Sequence, residues 1–303
     1  MRKILLASTA LVALTSASAM AADVTISGGF NLIYQTDDNN IPGAGGNTGS
    51  ASAMSSETDV NIKFSNTTDS GITTTLNAGF DEASRTDDAS ATISGDFGSI
   101  MVASGNVVGQ EDDNYILNMD EAYNKAGEGT TGTQFNLGGD VGESIGYKLP
   151  SIVDGLTIAV QHTNEDTTES FGYGIGYDAG VAKVQYAVMS TNTEDRTTVN
   201  LSGAVSGLGF GIEKNTVSGA GVSEDEATLW GVSYTIDSIT LAYESGKAED
   251  ETGDLDDYSQ IAVAYAVAPG ITAIVTSSEV NQVDTTDGAD DAEQLEIQLK
   301  LSF

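Results

Sequence analysis

The stretch LEIQLKLSF, residues 295–303, alternates apolar and polar side chains without interruption. Leu295, Ile297, Leu299 and Leu301 share one parity, while Glu296, Gln298 and Lys300 share the other. Successive side chains of a β-strand point to opposite faces of the sheet. The stretch therefore predicts a strand with one apolar face and one polar face.

The same alternation recurs along the chain and predicts sixteen strands. Short, turn-like connections are predicted at 66–71, 96–99, 150–155, 178–180, 206–207, 237–238 and 268–270. Long connections are predicted at 35–56, 81–90, 105–142, 163–168, 190–196, 214–224, 245–256 and 280–291. Strict interleaving of short turns with long loops is typical of transmembrane barrels. The sequence thus predicts an all-β fold, a transmembrane antiparallel β-barrel of 16 strands with short periplasmic turns and long extracellular loops.

Alternation alone does not separate a membrane barrel from a soluble β-sandwich, because both have one apolar face per strand. Aromatic residues concentrate near the predicted strand ends, as in the girdles at membrane interfaces. The apolar parity is thin and lacks the large clusters of a packed core. No segment after the N-terminus has a helix-length apolar run, which argues against a helical membrane protein. These features favour the barrel.

The N-terminal segment has the pattern of a secretory signal peptide. Arg2 and Lys3 precede a short apolar run over 4–14, and Ala19-Met20-Ala21 fits the small-x-small cleavage rule. The apolar run is too short to span a bilayer, which needs about 20 residues. We expect residues 1–21 to be a cleaved signal peptide and residues 22–303 to form a single barrel domain.

The composition excludes several classes of function. The 303 residues carry 45 Asp plus Glu against 11 Lys plus Arg, a formal net charge of −34. Nucleic acid is excluded as a partner because phosphates need a basic surface, and cations are favoured instead. The chain has no Cys and a single His, His162. A multi-His metal site is therefore impossible within one chain, His162 is poorly placed for a catalytic triad, and we expect no enzyme.

Three stretches resemble those of general Gram-negative porins, closest to the porins of Rhodobacter-type alphaproteobacteria. They are the signal with its first strand (AADVTISGGFNLIY, 21–34), GDFGSIMVASGN (95–106) and the C-terminal LEIQLKLSF. The last resembles the signal read by the barrel assembly machinery. The resemblance implies a bacterial outer-membrane, multi-pass homotrimer in contact with lipid and lipopolysaccharide, whose water-filled channels pass small hydrophilic solutes and ions.

The resemblance also implies that the third loop folds into the lumen and that calcium binds at acidic loops; no other cofactor is expected. The chain departs from the family at Asn106, where a basic or charged residue is common. Beyond the signal it has only two arginines, Arg85 and Arg196. A strong field between wall arginines and loop acids is therefore not expected here.

The connection 105–142 is the longest, and a long loop in a compact fold is usually functional or disordered. Its apolar residues favour packing inside the barrel, with its carboxylates lining the pore constriction; an exterior loop or a trimer latch is the alternative. The predicted constriction acids are Glu111, Asp112, Asp113, Asp120, Glu121 and Glu128. By parity, the predicted lumen-facing bases are Lys63, Lys148 and Lys183. Such a ring of carboxylates attracts cations, so we predict a cation-selective pore.

One different class of protein also fits the composition: a secreted, acidic, calcium-binding β-rich protein of the surface-layer or adhesin kind. Acidic pairs such as Asp37-Asp38 and Asp290-Asp291 suit hard divalent cations. Such a protein should show calcium-loop repeats at a fixed period, and none is visible. No twelve-residue EF-hand pattern occurs either, so the metal-binding residues stay unassigned.

Overall fold

In the computed structural model, the chain forms sixteen β-strands. The structure describes residues 23–38, 51–80, 89–104, 143–165, 168–219, 222–250, 253–282 and 292–303. The strands are β1 Asp23–Asp38, β2 Ala51–Thr67, β3 Thr73–Phe80, β4 Ala89–Gly95, β5 Gly98–Ser104, β6 Glu143–Lys148, β7 Leu156–Glu165, β8 Thr168–Asp178, β9 Ala182–Ser190, β10 Glu194–Val205, β11 Leu208–Gly219, β12 Val222–Ile236, β13 Ile239–Asp250, β14 Gly253–Ala268, β15 Ile271–Gln282 and β16 Ala292–Ser302. Among these residues no helix is long and apolar enough to cross a membrane.

The strands form one closed antiparallel barrel in sequence order. Each strand pairs with its neighbours in the chain, and β1 pairs with both β2 and β16. Closure removes every sheet edge, so all backbone groups along the wall find partners within the protein, as lipid requires. The predicted fold class is confirmed.

The closing seam joins the two ends of the barrel. Gly28 donates a backbone hydrogen bond to Phe303 O (3.1 Å), and Phe303 N donates back to Gly28 O (3.0 Å). A Cβ atom on Gly28 would lie 2.9 Å from Cζ of Phe303 and 2.5 Å from the carbonyl oxygen of Asp59. Glycine is therefore required at this point of β1, where the terminal aromatic ring lies across the strand.

The tight turns are built from residues that accept positive φ. Ser206 and Gly207 connect β10 to β11 with φ of 51° and 83°. Two successive positive φ values define a type I′ turn, whose twist matches that of the flanking strands. At Gly155 (φ 79°), a Cβ would lie 2.2 Å from Asp178 O, so this turn also needs glycine.

The two faces of the wall differ as the alternation predicts. On β11, the side chain of Ile212 is 46% exposed and faces outward, whereas that of Glu213 is 1% exposed and faces the lumen. Large apolar side chains are exposed along the outer face of nearly every strand, including Leu201, Val232, Leu241 and Val263. An outer face of this kind is suited to contact with acyl chains.

Seven of the eight predicted long connections are shorter than the sequence predicts, and four of them contain only two or three residues. Strands β7 and β8 are separated only by 166–167, β9 and β10 by 191–193, β11 and β12 by 220–221, and β13 and β14 by 251–252. Hydrophobic alternation stops where the outer face becomes polar, at residues such as Lys214 and Lys247, but backbone pairing continues. Periodicity therefore marks the apolar band rather than the strand end.

Several sequence predictions lie outside the described residues. These are the signal peptide at 1–21 and the inward folding of the loop at 105–142. Both remain predictions.

Candidate functional site: the lumen wall

The pairing register shows which lumen residues share one height. A path that passes from each residue to its paired residue on the next strand goes once round the barrel and returns to the starting strand. It arrives about 20 residues from where it began, because the strands of a closed barrel are tilted. From one strand to the next, the residue at the same height along the barrel axis therefore lies slightly more than one position away from the paired residue. With this stagger, four glutamates fall within about two residues of one level: Glu57 on β2, Glu213 on β11, Glu244 on β13 and Glu296 on β16.

Neutral hydrogen-bond donors hold three of these carboxylates against the wall. Asn215 Nδ2 donates to Glu213 Oε1 (2.8 Å), and Asn200 Nδ2 donates to Glu213 Oε2 (3.1 Å). The hydroxyl of Tyr258 donates to Glu244 Oε1 (2.7 Å). Hydrogen bonds to a carboxylate are shorter and stronger than those between neutral groups.

Gln298 Nε2 likewise donates to Glu296 Oε1, and Glu213, Glu244 and Glu296 are each 1% exposed. We call the part of the wall from β11 through β16 to β2 the acidic arc.

At the same height, the other half of the wall is uncharged. The residues there are small and buried: Ala103 on β5, Ser144 on β6, Thr163 on β7, Ser170 on β8, Ala187 on β9 and Thr198 on β10. We call this part, β5 to β10, the neutral arc. Acidic charge at this level is thus confined, among the described residues, to one side of the lumen.

The three predicted lysines lie nearer the short turns, roughly three to six residues below the glutamate level. Lys148 and Lys183 line a cavity of about 580 Å³ on the lumen side of β5 to β10. Lys183 pairs in register with Asp178 on β8, and Lys63 pairs with Asn77 on β3. The structure therefore does not bring the three lysines into one cluster.

A fourth lysine has the same orientation. Lys300 on β16 shares the inward parity of Glu296 and Gln298 and pairs with Thr272 on β15. The alternation of LEIQLKLSF carries this signal, but sequence reasoning did not assign Lys300 to the lumen. Arg196 lies nearer the long-loop rim, where its Nε bonds Glu194 Oε1 (2.7 Å), so its charge is locally offset.

A glycine shapes the wall beside Glu244. Gly246 on β13 pairs directly with Tyr258 on β14. A Cβ on Gly246 would lie 2.1 Å from Cε1 of Tyr258, so the phenol ring lies flat across the glycine. This position brings the Tyr258 hydroxyl to the carboxylate of Glu244 and keeps the ring against the wall.

Comparison with known families identifies this architecture. Residues 7–287, most of the chain, match the family described as Gram-negative porin. The chain belongs to the Gram-negative porin family. It is accordingly a multi-pass protein of the bacterial outer membrane. A search of curated protein sequences gave no significant match.

Solved structures share the fold of this porin at low sequence identity. OmpF of Salmonella typhi, in complex with daunomycin, aligns with a TM-score of 0.68 at 13% identity, covering 93% of this chain and 98% of the other. A mutant of the Rh. blastica porin aligns at 0.65 and 14%, covering 93% and 100%. OmpT of Vibrio cholerae aligns at 0.67 and 13%, covering 95% and 99%. The predicted kinship with general porins is confirmed, and the surface-layer alternative receives no support.

The predicted constriction acids of this porin lie outside the described residues; they are Glu111, Asp112, Asp113, Asp120, Glu121 and Glu128. Sequence reasoning missed the glutamates of the acidic arc. Their inward parity follows from the alternation, but only the register shows that they share a height.

Two further sequence predictions concern the histidine and calcium. His162, which the sequence predicts to be poorly placed for a catalytic triad, is exposed between Ile145 and Phe171 on the outer face. In the part of the chain that the structure describes, no group of three or more His, Cys, Asp or Glu side chains is arranged to hold a metal. The predicted calcium therefore stays a prediction.

Proposed function

We propose that this porin is a cation-selective channel for passive diffusion of small hydrophilic solutes and ions. The observation that carries the proposal is the acidic arc, where Glu213, Glu244 and Glu296 share one height in the lumen. Fixed carboxylates in a pore with low-dielectric walls raise the local concentration of cations and lower that of anions. The three predicted lysines lie at another level and do not neutralise this arc.

The acidic residues of the third loop are a second source of negative charge in the proposed channel. If the loop at 105–142 enters the lumen, Glu111, Asp112, Asp113, Asp120, Glu121 and Glu128 add further negative charge to the constriction. The net charge of −34 over the whole chain acts in the same direction. The resemblance to general porins also supports a homotrimer, contact with lipopolysaccharide and a role without catalysis.

Structural calcium at the acidic outer loops is a separate part of the proposal. Carboxylate-rich segments such as Asp37-Asp38 and Glu249-Asp250-Glu251 provide the oxygen ligands that Ca²⁺ prefers. Removal of calcium with a chelator should lower the temperature at which the native oligomer dissociates. An unchanged dissociation temperature would argue against it.

The decisive experiment is a reversal-potential measurement. The purified mature protein is inserted into a planar bilayer separating concentrated from dilute KCl. We expect a reversal potential near that of a cation-permeable pore, and a weaker one as salt rises, because the Debye length falls from about 10 Å at 0.1 M to about 3 Å at 1 M. Liposome swelling with neutral sugars tests the open pore. Anion preference would overturn the selectivity, and absence of conductance would overturn the channel.

A further inference from the structure

One register row on the acidic arc combines an acid with polar groups that have no partner. Glu244 on β13 pairs with Gln260 on β14, which pairs with Ser278 on β15. Gln260 is 1% exposed and Ser278 4% exposed. Within the described part of the chain, neither atom of the Gln260 amide nor the Ser278 hydroxyl has a hydrogen-bond partner. Buried polar groups without a hydrogen-bond partner destabilise the folded state and are rare in native proteins.

The residues next to this row have small or flat side chains. On the turn side the next row holds the small side chains of Ala242, Ala262 and Thr276. On the loop side, Tyr258 lies flat over Gly246 and so presents an aromatic surface at the edge of the row. The β12 residue that pairs with Glu244 is Gly231, which adds no side chain.

We propose that this row is a binding site for solutes carrying a guanidinium or primary ammonium group. This proposal rests on the proposed channel function. We call it the Glu244 site: Glu244, Tyr258, Gln260 and Ser278. The carboxylate supplies the counter-charge, and Gln260 Oε1 and Ser278 Oγ accept the N–H groups that a bare metal ion lacks. The Tyr258 ring offers a cation–π contact. A guanidinium suits this set because it is planar and donates several hydrogen bonds in fixed directions.

The probe is guanidinium chloride, added at millimolar concentrations to the purified full-length mature porin conducting K⁺ in a planar bilayer. We expect saturable block of the K⁺ current. Tetramethylammonium, which has the same charge but no N–H donor, should block at least several-fold more weakly. Equal block by the two cations would overturn the site, since charge alone would then explain it.

Variants then separate the site from general electrostatics. Gln260→Ala should raise the half-blocking concentration of guanidinium about threefold, the change expected for one lost hydrogen bond, and leave cation selectivity unchanged. Glu244→Gln should raise it further and also weaken selectivity. The matched control is Gln161→Ala, because Gln161 is an equally buried lumen amide on the neutral arc whose Nε2 donates to Thr163 Oγ1 (3.3 Å). It should leave the block unchanged.

The outcomes distinguish the two proposals. A wild-type protein without K⁺ conductance would overturn the channel function itself. A conducting protein in which Gln260→Ala and Gln161→Ala have the same effect would overturn only the Glu244 site. If Gln260→Ala does not assemble, Tyr258→Phe tests the same site, since it keeps the ring but removes the bond to Glu244; an unchanged half-blocking concentration would then count against the site.

Discussion

The acidic arc and the neutral arc are two halves of one wall, with the same strand geometry and the same lipid-facing parity. On the outer face, Val184 and Tyr173 of the neutral arc are as exposed and apolar as Leu241 and Ile297 of the acidic arc. On the inner face, at the glutamate level, one half holds buried glutamates and the other holds Ala, Ser and Thr. Membrane insertion constrains only one parity, so the other is free to acquire a charge pattern suited to transport.

The largest effect on selectivity is expected when the difference in charge between the acidic arc and the neutral arc is reduced. The triple variant Glu213→Gln, Glu244→Gln and Glu296→Gln keeps side-chain size and leaves Glu57 as the remaining glutamate at this level of the acidic arc. We expect the cation-to-anion permeability ratio from reversal potentials to fall about tenfold, which corresponds to about 1.4 kcal/mol. Unchanged selectivity would locate the determinant elsewhere, with the loop at 105–142 as the next candidate.

A glycine from each arc tests how the inner wall is packed. Gly246→Ala places a Cβ 2.1 Å from Tyr258, whereas Gly176→Ala on β8 meets its nearest neighbour, Cγ of Gln185, at 3.4 Å. We expect Gly246→Ala to lower the unfolding free energy by about 1–3 kcal/mol, the usual cost of overpacking, and to reduce conductance by displacing the ring. Gly176→Ala should be nearly neutral in urea unfolding; equal losses would contradict the flat position of Tyr258.

Transferring charge to the neutral arc should have a smaller effect. Ala187→Glu puts a carboxylate on β9 close to the glutamate level. Because the lumen already carries acids at that height, we expect the permeability ratio to rise only about twofold at 0.1 M salt, where the Debye length is about 10 Å. A matched Ala187→Gln variant controls for side-chain bulk, and a fall in the ratio would refute the arrangement.

The smallest effect is expected at the turn that joins the two arcs. Ser206 adopts φ 51° beside Gly207. Asn accepts this conformation more readily, and Asn-Gly is the preferred pair of a type I′ turn. Ser206→Asn should raise the unfolding free energy by about 0.5 kcal/mol and leave selectivity unchanged. A loss of stability would show that the turn has another geometry.

The sequence predicted most of the barrel but little of the arrangement within the lumen. Parity along a strand is a local property, and it is enough to assign Lys63, Lys148 and Lys183 to the inner face. Height is not local: Glu57 and Glu296 are 239 positions apart in the numbering and reach one level only through the stagger accumulated around the barrel. The Glu244 site likewise joins three strands through their register.

Strand ends were also beyond the reach of periodicity. On β11, β12 and β13, pairing continues past Ile212, Trp230 and Tyr243, and the outer face changes there to Lys214, Glu226 and Lys247. Hydrogen bonding between strands does not depend on which solvent the side chains meet. An alternation count therefore ends at the limit of the apolar band, several residues before the strand does.

The outward position of Trp230 has a practical consequence. It is the single tryptophan of the chain, it is 42% exposed, and its ring centroid lies 5.4 Å from that of Tyr243. All indole emission consequently reports one spot on the outer perimeter. Phospholipids brominated at successive acyl carbons should quench that emission to different degrees, which measures the depth of Trp230 in the bilayer. The same emission allows the rate of assembly into vesicles to be followed without an attached dye.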